Sequence, residues 1–193
     1  MKINLALLFI TLLVIGIFTY SFNSADPSVQ EVPITTTQEY ETLEKVEDFE
    51  LVDTSGNTHK LSDFKGKIII LNFWASWCTP CAIEFPQLLE LSQSMKDKIV
   101  FIPISVDTKA ELITRFLTQL KRRTSQETEL SNVYYMWDPE KKISQDIFYT
   151  VKYPETYIIA PDFTLREKII GASVDFSSDE FKAHIMNYWQ ETD

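Results

Sequence analysis

Cysteine is scarce in this chain: 193 residues hold two, with four glycines and two histidines. Both cysteines fall in one Cys-x-x-Cys unit, Cys78 and Cys81, so no thiol is left for a second disulfide. A three-residue spacing closes too small a loop to staple a fold, which points to chemistry rather than scaffolding. A zinc site would need two further ligands, and the histidines at hand, His59 and His184, stand singly and far from the pair in sequence. No metal and no cofactor is therefore expected. Few glycines beside 45% hydrophobic and 24% charged residues argue against wholesale disorder. Basic stretches are missing as well, apart from Lys121-Arg122-Arg123, which reads as the cationic end of a solvated helix. With a formal net charge of -10 there is no basic face for a polyanion, and no nucleic-acid partner is expected.

Charge is absent altogether from Ile3 to Phe22, where Leu, Ile, Val and Phe dominate. Twenty helical residues span about 30 Å, the thickness of a hydrocarbon core. Lys2 precedes the stretch and acids follow it, so residues 1–22 are expected to anchor the chain with its N-terminus in the cytoplasm. The rival is a cleaved signal peptide, whose apolar region usually runs to about 7–15 residues. Its best cut, after Ala25, has Asn23 at the upstream small-residue position, a poor match. No cysteine lies nearby for lipid attachment. Residues 23–45 carry Pro27, Pro33 and the Thr35-Thr36-Thr37 run with no apolar period, and read as a flexible tether. Between Asp26 and Glu50 eight acids face one base, Lys45, a net of about -7. The expected location is thus the cytoplasmic (inner) membrane, single-pass, with residues 46–193 as a periplasmic or extracytoplasmic domain.

Within that domain Phe49–Val52 and Thr58–Leu61 read as a hairpin about the turn-rich Asp53-Thr54-Ser55-Gly56-Asn57. Ile68 to Trp74 is a continuous apolar run, as expected of a strand covered on both faces, and Ile99–Val106 is a second. Helices are expected over about 79–93 and 109–121, the latter from Leu112, Ile113, Phe116, Leu117 and Leu120 at helical spacing. Val133–Trp137 reads as a short strand or extended segment, and Asp138-Pro139 as the start of a helix running to about Phe148. Thr156–Ala160 and Leu165–Gly171 form strands joined at Pro161-Asp162, before a last helix, about 178–190, introduced by the cap signature Ser177-Ser178-Asp179-Glu180. This alternation gives an α/β layered domain with a mixed sheet.

The local sequence Phe73-Trp74-Ala75-Ser76-Trp77-Cys78-Thr79-Pro80-Cys81 places a buried strand, a tight connection and then Cys78 at the first turn of a helix. Unpaired N–H groups and the positive helix end stabilise a thiolate there, which makes a nucleophile. Cys81, one turn on, is placed to attack a mixed disulfide and release product. Pro80 lacks an N–H where that costs least. Trp77 is expected to shield one side of Cys78. Glu84 shares the helix face of the dithiol, and if partly buried its raised pKa would let it take the Cys81 proton. A solvent-facing Glu helped by the helix dipole is the plainer reading of that position.

These residues together resemble the thioredoxin-fold active site of the TlpA/ResA-like family of membrane-tethered oxidoreductases. The likeness covers most of residues 46–190, including Asp63-Phe64-Lys65-Gly66-Lys67 and Ser105-Val106-Asp107. It implies a thioredoxin-like three-layer fold with a mixed central sheet, an N-terminal β-hairpin and a central strand-helix insertion. Pro86 matches the proline that kinks the family's active-site helix, and Tyr153-Pro154-Glu155-Thr156 matches its cis-proline loop. On its own Pro154 would be read as an ordinary trans proline at a strand entry. The resemblance places an acid at Glu84, where thioredoxins proper carry theirs on the preceding strand, here Asn72. It further implies a substrate surface from Trp77, Thr79, Pro80, Tyr153, Pro154 and, less directly, Glu155. Implied partners are disulfide-bearing proteins such as apocytochrome c and a membrane electron donor of the DsbD/CcdA type.

No cationic residue stands between the cysteines to stabilise the thiolate further, so a weak oxidant working as reductase or exchanger is expected. Two alternative activities carry motifs of their own. A peroxiredoxin-type peroxidase sets a lone cysteine in Pro-x-x-x-Thr-x-x-Cys, and a Sco-type copper chaperone uses wider cysteine spacing plus a downstream histidine. Neither pattern occurs here.

Overall fold

The computed structural model describes Leu13 and residues 44–190. The expected anchor (Leu13 apart) and residues 23–43 of the tether lie outside the described residues. Among the described residues no helix is long and apolar enough to cross a membrane. From Glu44 the chain forms β1 (Glu50–Val52), β2 (Thr58–Lys60), a 3-10 turn (Leu61–Phe64), β3 (Ile68–Trp74), α1 (Thr79–Ser94) and β4 (Ile99–Ser105). It continues through α2 (Ala110–Thr124), β5 (Met136–Trp137), a π-helical segment (Lys142–Ile147), β6 (Glu155–Ile159), β7 (Leu165–Ile170) and α3 (Asp179–Gln190).

Two apolar runs become the centre of a five-stranded mixed sheet of order β5-β4-β3-β6-β7. All seven residues of β3 and all seven of β4 are buried, as continuous hydrophobic sequence demands. β4 runs parallel to β3 and β5, while β6 is antiparallel to β3 and β7. Alternation along the strands then sorts the core into two. Ile68, Ile70, Phe101 and Ile158 meet α1, α2 and α3 through Phe85, Ile113 and Ile185. Ile69, Leu71, Phe73, Ile104 and Tyr157 face the other way, under Leu51 of the β1–β2 hairpin, Leu61 and Phe64 of the 3-10 turn, and Phe148. Helices, sheet and hairpin make three layers.

Four expectations are corrected. The helix over 138–148 is a six-residue π-helical segment between Lys141 and Tyr149, both in the left-handed region (φ 59° and 52°). The Asp138 carboxylate accepts the Ser144 N–H (2.8 Å), so the segment is tied back to a residue that precedes it. The strand over 133–137 shrinks to Met136–Trp137, with a single bridge from Val133 to Phe101. The cap of α3 is Ser178, whose hydroxyl accepts the Phe181 N–H (3.1 Å), one residue later than the sequence signature implied. Finally Glu44 and Lys45, read as tether, are paired onto the start of β7: Leu165 N–H donates to Glu44 (3.0 Å) and Lys45 bridges Thr164.

One buried ion pair lies on the hairpin side of the sheet. Glu155 is 1% exposed and meets Lys168 Nζ at 3.1 Å, while its other oxygen accepts the Tyr157 hydroxyl (2.9 Å). Removing one partner of such a pair strands a charge. Lys168→Met is expected to lower unfolding stability by about 2–3 kcal/mol, less than for a fully buried pair because Lys168 keeps some solvent contact. Glu155→Gln with Lys168→Met should recover part of that loss in denaturant unfolding. Equal losses in the single and double variants would show that the pair is not coupled.

Candidate active site

β3 ends at Trp74, and a three-residue connection carries the chain to Cys78, the N-cap of α1. Cys78 is extended (φ -85°, ψ 105°), and its Sγ accepts the Cys81 N–H at 3.2 Å, filling the place of a capping hydroxyl. Cys78 and Cys81 are bonded to one another, with Cα atoms 5.3 Å apart. Thr79 and Pro80 occupy the first turn, exposed to solvent. Cys78 is 5% exposed and Cys81 1%. Pro86 lies inside α1, where it removes an N–H that Ala82 would otherwise accept.

Glu84 faces inward, 2% exposed. Its Oε1 accepts from Asn72 Nδ2 (2.8 Å) and from Thr156 Oγ1 (3.1 Å), and the same Asn72 amide also reaches Thr156 Oγ1 (2.8 Å). Asn72 and Thr156 are directly opposed across the β3–β6 pairing, so one ladder rung supplies both donors. Oε2 is buried with no hydrogen-bond partner. Desolvation pushes the Glu84 carboxyl up to about 7 against the opposing pull of the two donors. The structure thus places Glu84 on the dithiol's side of the sheet, one turn beyond Cys81.

The Tyr153–Pro154 peptide bond is cis, and Pro154 accepts the Gly171 N–H at 2.9 Å. Tyr153 meets the Trp77 ring edge-on at 6.1 Å, which joins the loop before β6 to the loop before α1. Trp77 itself is 65% exposed. Tyr149 (76%) and Val151 (85%) are likewise bare apolar residues on the loop leading to Pro154. Glu155 is not brought to this site. It is opposed to Phe73 and points to the hairpin side of the sheet, because neighbouring strand residues face opposite ways and its neighbour Thr156 faces α1. The two histidines are engaged elsewhere: His59 Nε2 lies 3.3 Å from Asp53 Oδ2, and His184 Nε2 lies 2.6 Å from Glu167 Oε1.

Sequence reasoning noted Asn72 and Asp107 without giving them a role, and missed Thr156 and Ser76. The signal for Thr156 was its place two positions after Pro154, where strand alternation returns a side chain to the face of the dithiol.

Burial of Glu84 links stability to pH. Its carboxyl titrates near 7 in the folded chain against an ordinary 4.5, so between those values the unfolded chain binds fewer protons and stability falls as pH rises. That window corresponds to about 3 kcal/mol at about 1.4 kcal/mol per pH unit. Glu84→Gln should flatten this part of the profile, as read from denaturant midpoints of the oxidised protein at pH 4.5 and 7. Parallel profiles for the two proteins would mean that the carboxyl ionises normally.

The AhpC/TSA family profile matches residues 42–168. The chain is 29% identical over 128 residues to the thioredoxin-like protein YneN of Bacillus subtilis, covering 64% of this chain and 68% of that one. It is 30% identical over 124 residues to the thiol-disulfide oxidoreductase ResA of Oceanobacillus iheyensis, covering 64% and 58%. Among solved structures, a Chlorobium tepidum protein assigned as the thiol:disulfide interchange protein DsbE shares the fold, with a TM-score of 0.63 at 23% identity over 76% of this chain and 96% of that one. The chain spans 58% of the length of that ResA protein and 66% of the ResA of Bacillus subtilis, and it belongs to the AhpC/TSA family.

Proposed function

We propose that the protein reduces or exchanges disulfides in extracytoplasmic proteins, with Cys78 attacking, Cys81 resolving and Glu84 taking the Cys81 proton. The observation that carries this reading is the bonded Cys78–Cys81 pair at the head of α1 with a buried, half-satisfied carboxyl one turn away. In the cycle, Cys78 thiolate attacks one sulfur of a substrate disulfide, whose S–S bond breaks as the second sulfur leaves as thiolate and is protonated. Cys81 then loses its proton to Glu84 and attacks Cys78 Sγ. This forms the Cys78–Cys81 bond, breaks the mixed disulfide and frees the second substrate thiol. Two electrons pass to the substrate, and a membrane donor of the DsbD/CcdA type returns them.

Burial supports the division of labour, since Cys78 keeps the greater exposure and alone caps the helix. Trp77, Thr79, Pro80, Tyr153 and Pro154 would form the docking surface, extended by Tyr149 and Val151. Apolar exposure of that kind suits an unfolded polypeptide such as apocytochrome c. The uncharged stretch from Ile3 to Phe22 supports an anchor that holds the domain at the outer face of the cytoplasmic membrane.

Trapping tests the scheme. Cys81→Ser should accumulate mixed disulfides on Cys78, and Cys78→Ser should abolish turnover. Capture of glutathione alone would point to a general thiol buffer rather than a dedicated pathway. Glu84→Gln should slow the release of trapped substrate by about tenfold to a hundredfold, the lower range for a positioned acid or base. It should also remove a rate inflection near pH 7, above which the wild-type carboxylate is free to accept. An unchanged pH profile would rule out the proton role, and rapid peroxide consumption would favour a peroxidase.

A further inference from the structure

We propose that Asp107 is a positioning residue for Cys78: its buried carboxylate clasps Ser76 and so fixes the loop that brings the sulfur to the head of α1. The inference rests on Cys78 being the attacking thiol. Asp107 lies two residues past the end of β4 and is fully buried. Its Oδ1 accepts the Ser76 hydroxyl at 2.8 Å, and its Oδ2 accepts both the Ser76 N–H at 2.8 Å and the Ser105 hydroxyl at 2.8 Å. The residue is itself held twice through its backbone. Its N–H donates to Ser105 Oγ (3.1 Å), and its carbonyl accepts the Trp137 indole N–H (2.7 Å) from β5.

The position of the clasp gives it a consequence for the dithiol. Strand pairing holds the chain as far as Trp74, whose carbonyl accepts the Val106 N–H (3.0 Å). Helix geometry takes over at Cys78. Between the two, one carboxylate grips Ser76 by main chain and side chain together. In the oxidised protein the disulfide also fixes where Cys78 Sγ lies. Once reduced, that covalent restraint is gone, and the loop conformation decides whether the thiolate still faces the N–H groups of the first turn. Hydrogen bonds weaken steeply with misalignment, so a loosened loop stabilises the thiolate less. The thiol pKa should then rise, and the reduced form should lose stability relative to the disulfide, lowering the reduction potential. The indole contact extends the chain of support to β5, which gives that strand a part in tuning the dithiol.

Asp107→Asn is an ambiguous probe, because removing a negative charge favours the thiolate while loosening the clasp disfavours it. Ser76→Ala keeps the charge and removes one grip. In the full chain carrying Cys81→Ser, the pH dependence of Cys78 alkylation by iodoacetamide reads the thiol directly. Ser76→Ala should raise the apparent pKa by about one unit, a tenfold loss of thiolate below it. Ser76→Thr, which keeps the hydroxyl, should stay near the parent. Trp137→Phe leaves Ser76 intact and should shift the pKa in the same direction by less. In the two-cysteine protein, Ser76→Ala should give a more negative potential against a glutathione couple. An unchanged or lowered Cys78 pKa in both Ser76→Ala and Trp137→Phe would overturn the proposal, whatever their effect on stability. A Cys81→Ser parent that captures no substrate while Cys78 alkylates normally would count against Cys78 as attacker, a separate failure from that of the clasp.

Discussion

The 3.2 Å hydrogen bond from the Cys81 N–H to Cys78 Sγ closes the first turn of α1 and makes one sulfur both a helix cap and a redox atom. Most of the fold can be understood as what that double duty requires. A helix can begin on a sulfur only if the chain arrives there extended, which Cys78 does. The arrival point must be fixed, and β3 fixes it by being buried along its whole length between β4 and β6. The helix must also stay pressed to the sheet although Pro86 interrupts its ladder. Phe85, Leu88 and Leu89 supply that contact, all of them essentially without solvent exposure. Trp74 packs at 4.7 Å from both Phe85 and Phe116, so the last residue of β3 is locked by α1 and α2 together.

Of the four buried acids among the described residues, Asp138 accepts the Ser144 N–H, and the other three are each accommodated differently. Asp107 is satisfied by hydroxyl and N–H donors on both oxygens. Glu155 is neutralised by Lys168 and bonded by Tyr157. Glu84 receives two donors on one oxygen and none on the other. Burial of a carboxylate without a full set of donors favours the protonated form, and the Glu84 carboxyl is raised to about 7. A fold aiming only at stability would complete the third as it completed the other two. The incomplete one lies on the helix that carries the dithiol, and this coincidence is the physical basis for giving it a proton to move.

How much of this was legible in sequence depended on whether the determinant was local. The two central strands were visible because consecutive apolar residues admit few other fates, and the head of α1 because Cys-Thr-Pro-Cys combines a cap with an early proline. The π-helical segment was not, since Asp138-Pro139 signals a helix start but says nothing of the Asp138–Ser144 bond that tightens the turn. Glu155 was placed beside the dithiol by its neighbourhood to Pro154. A strand turns alternate residues to opposite faces, and a one-residue difference between Glu155 and Thr156 decides which of them reaches α1. The Asn72–Glu84–Thr156 cluster joins three elements through contacts up to 84 positions apart, beyond any local pattern. Glu84 alone could be inferred, from its helical spacing to Cys81.

The two sulfurs, chemically alike, are made unequal by where the sheet places them. Cys78 stands at the end of the loop, with Thr79 and Pro80 exposed beside it. Cys81 is sealed beneath the first turn on the core side of α1. In the proposed cycle an incoming disulfide meets Cys78 first, and Cys81 acts only on a sulfur already delivered to Cys78. Deprotonating Cys81 cannot rely on bulk water, because the thiol has almost none around it. In the proposed cycle the base has to be a resident of the same buried compartment. Among the carboxyls described above, Asp107 and Glu155 have both oxygens occupied, whereas Glu84 has an oxygen without a partner. The burial that protects the resolving thiol from stray oxidants thus also creates the need for an internal base.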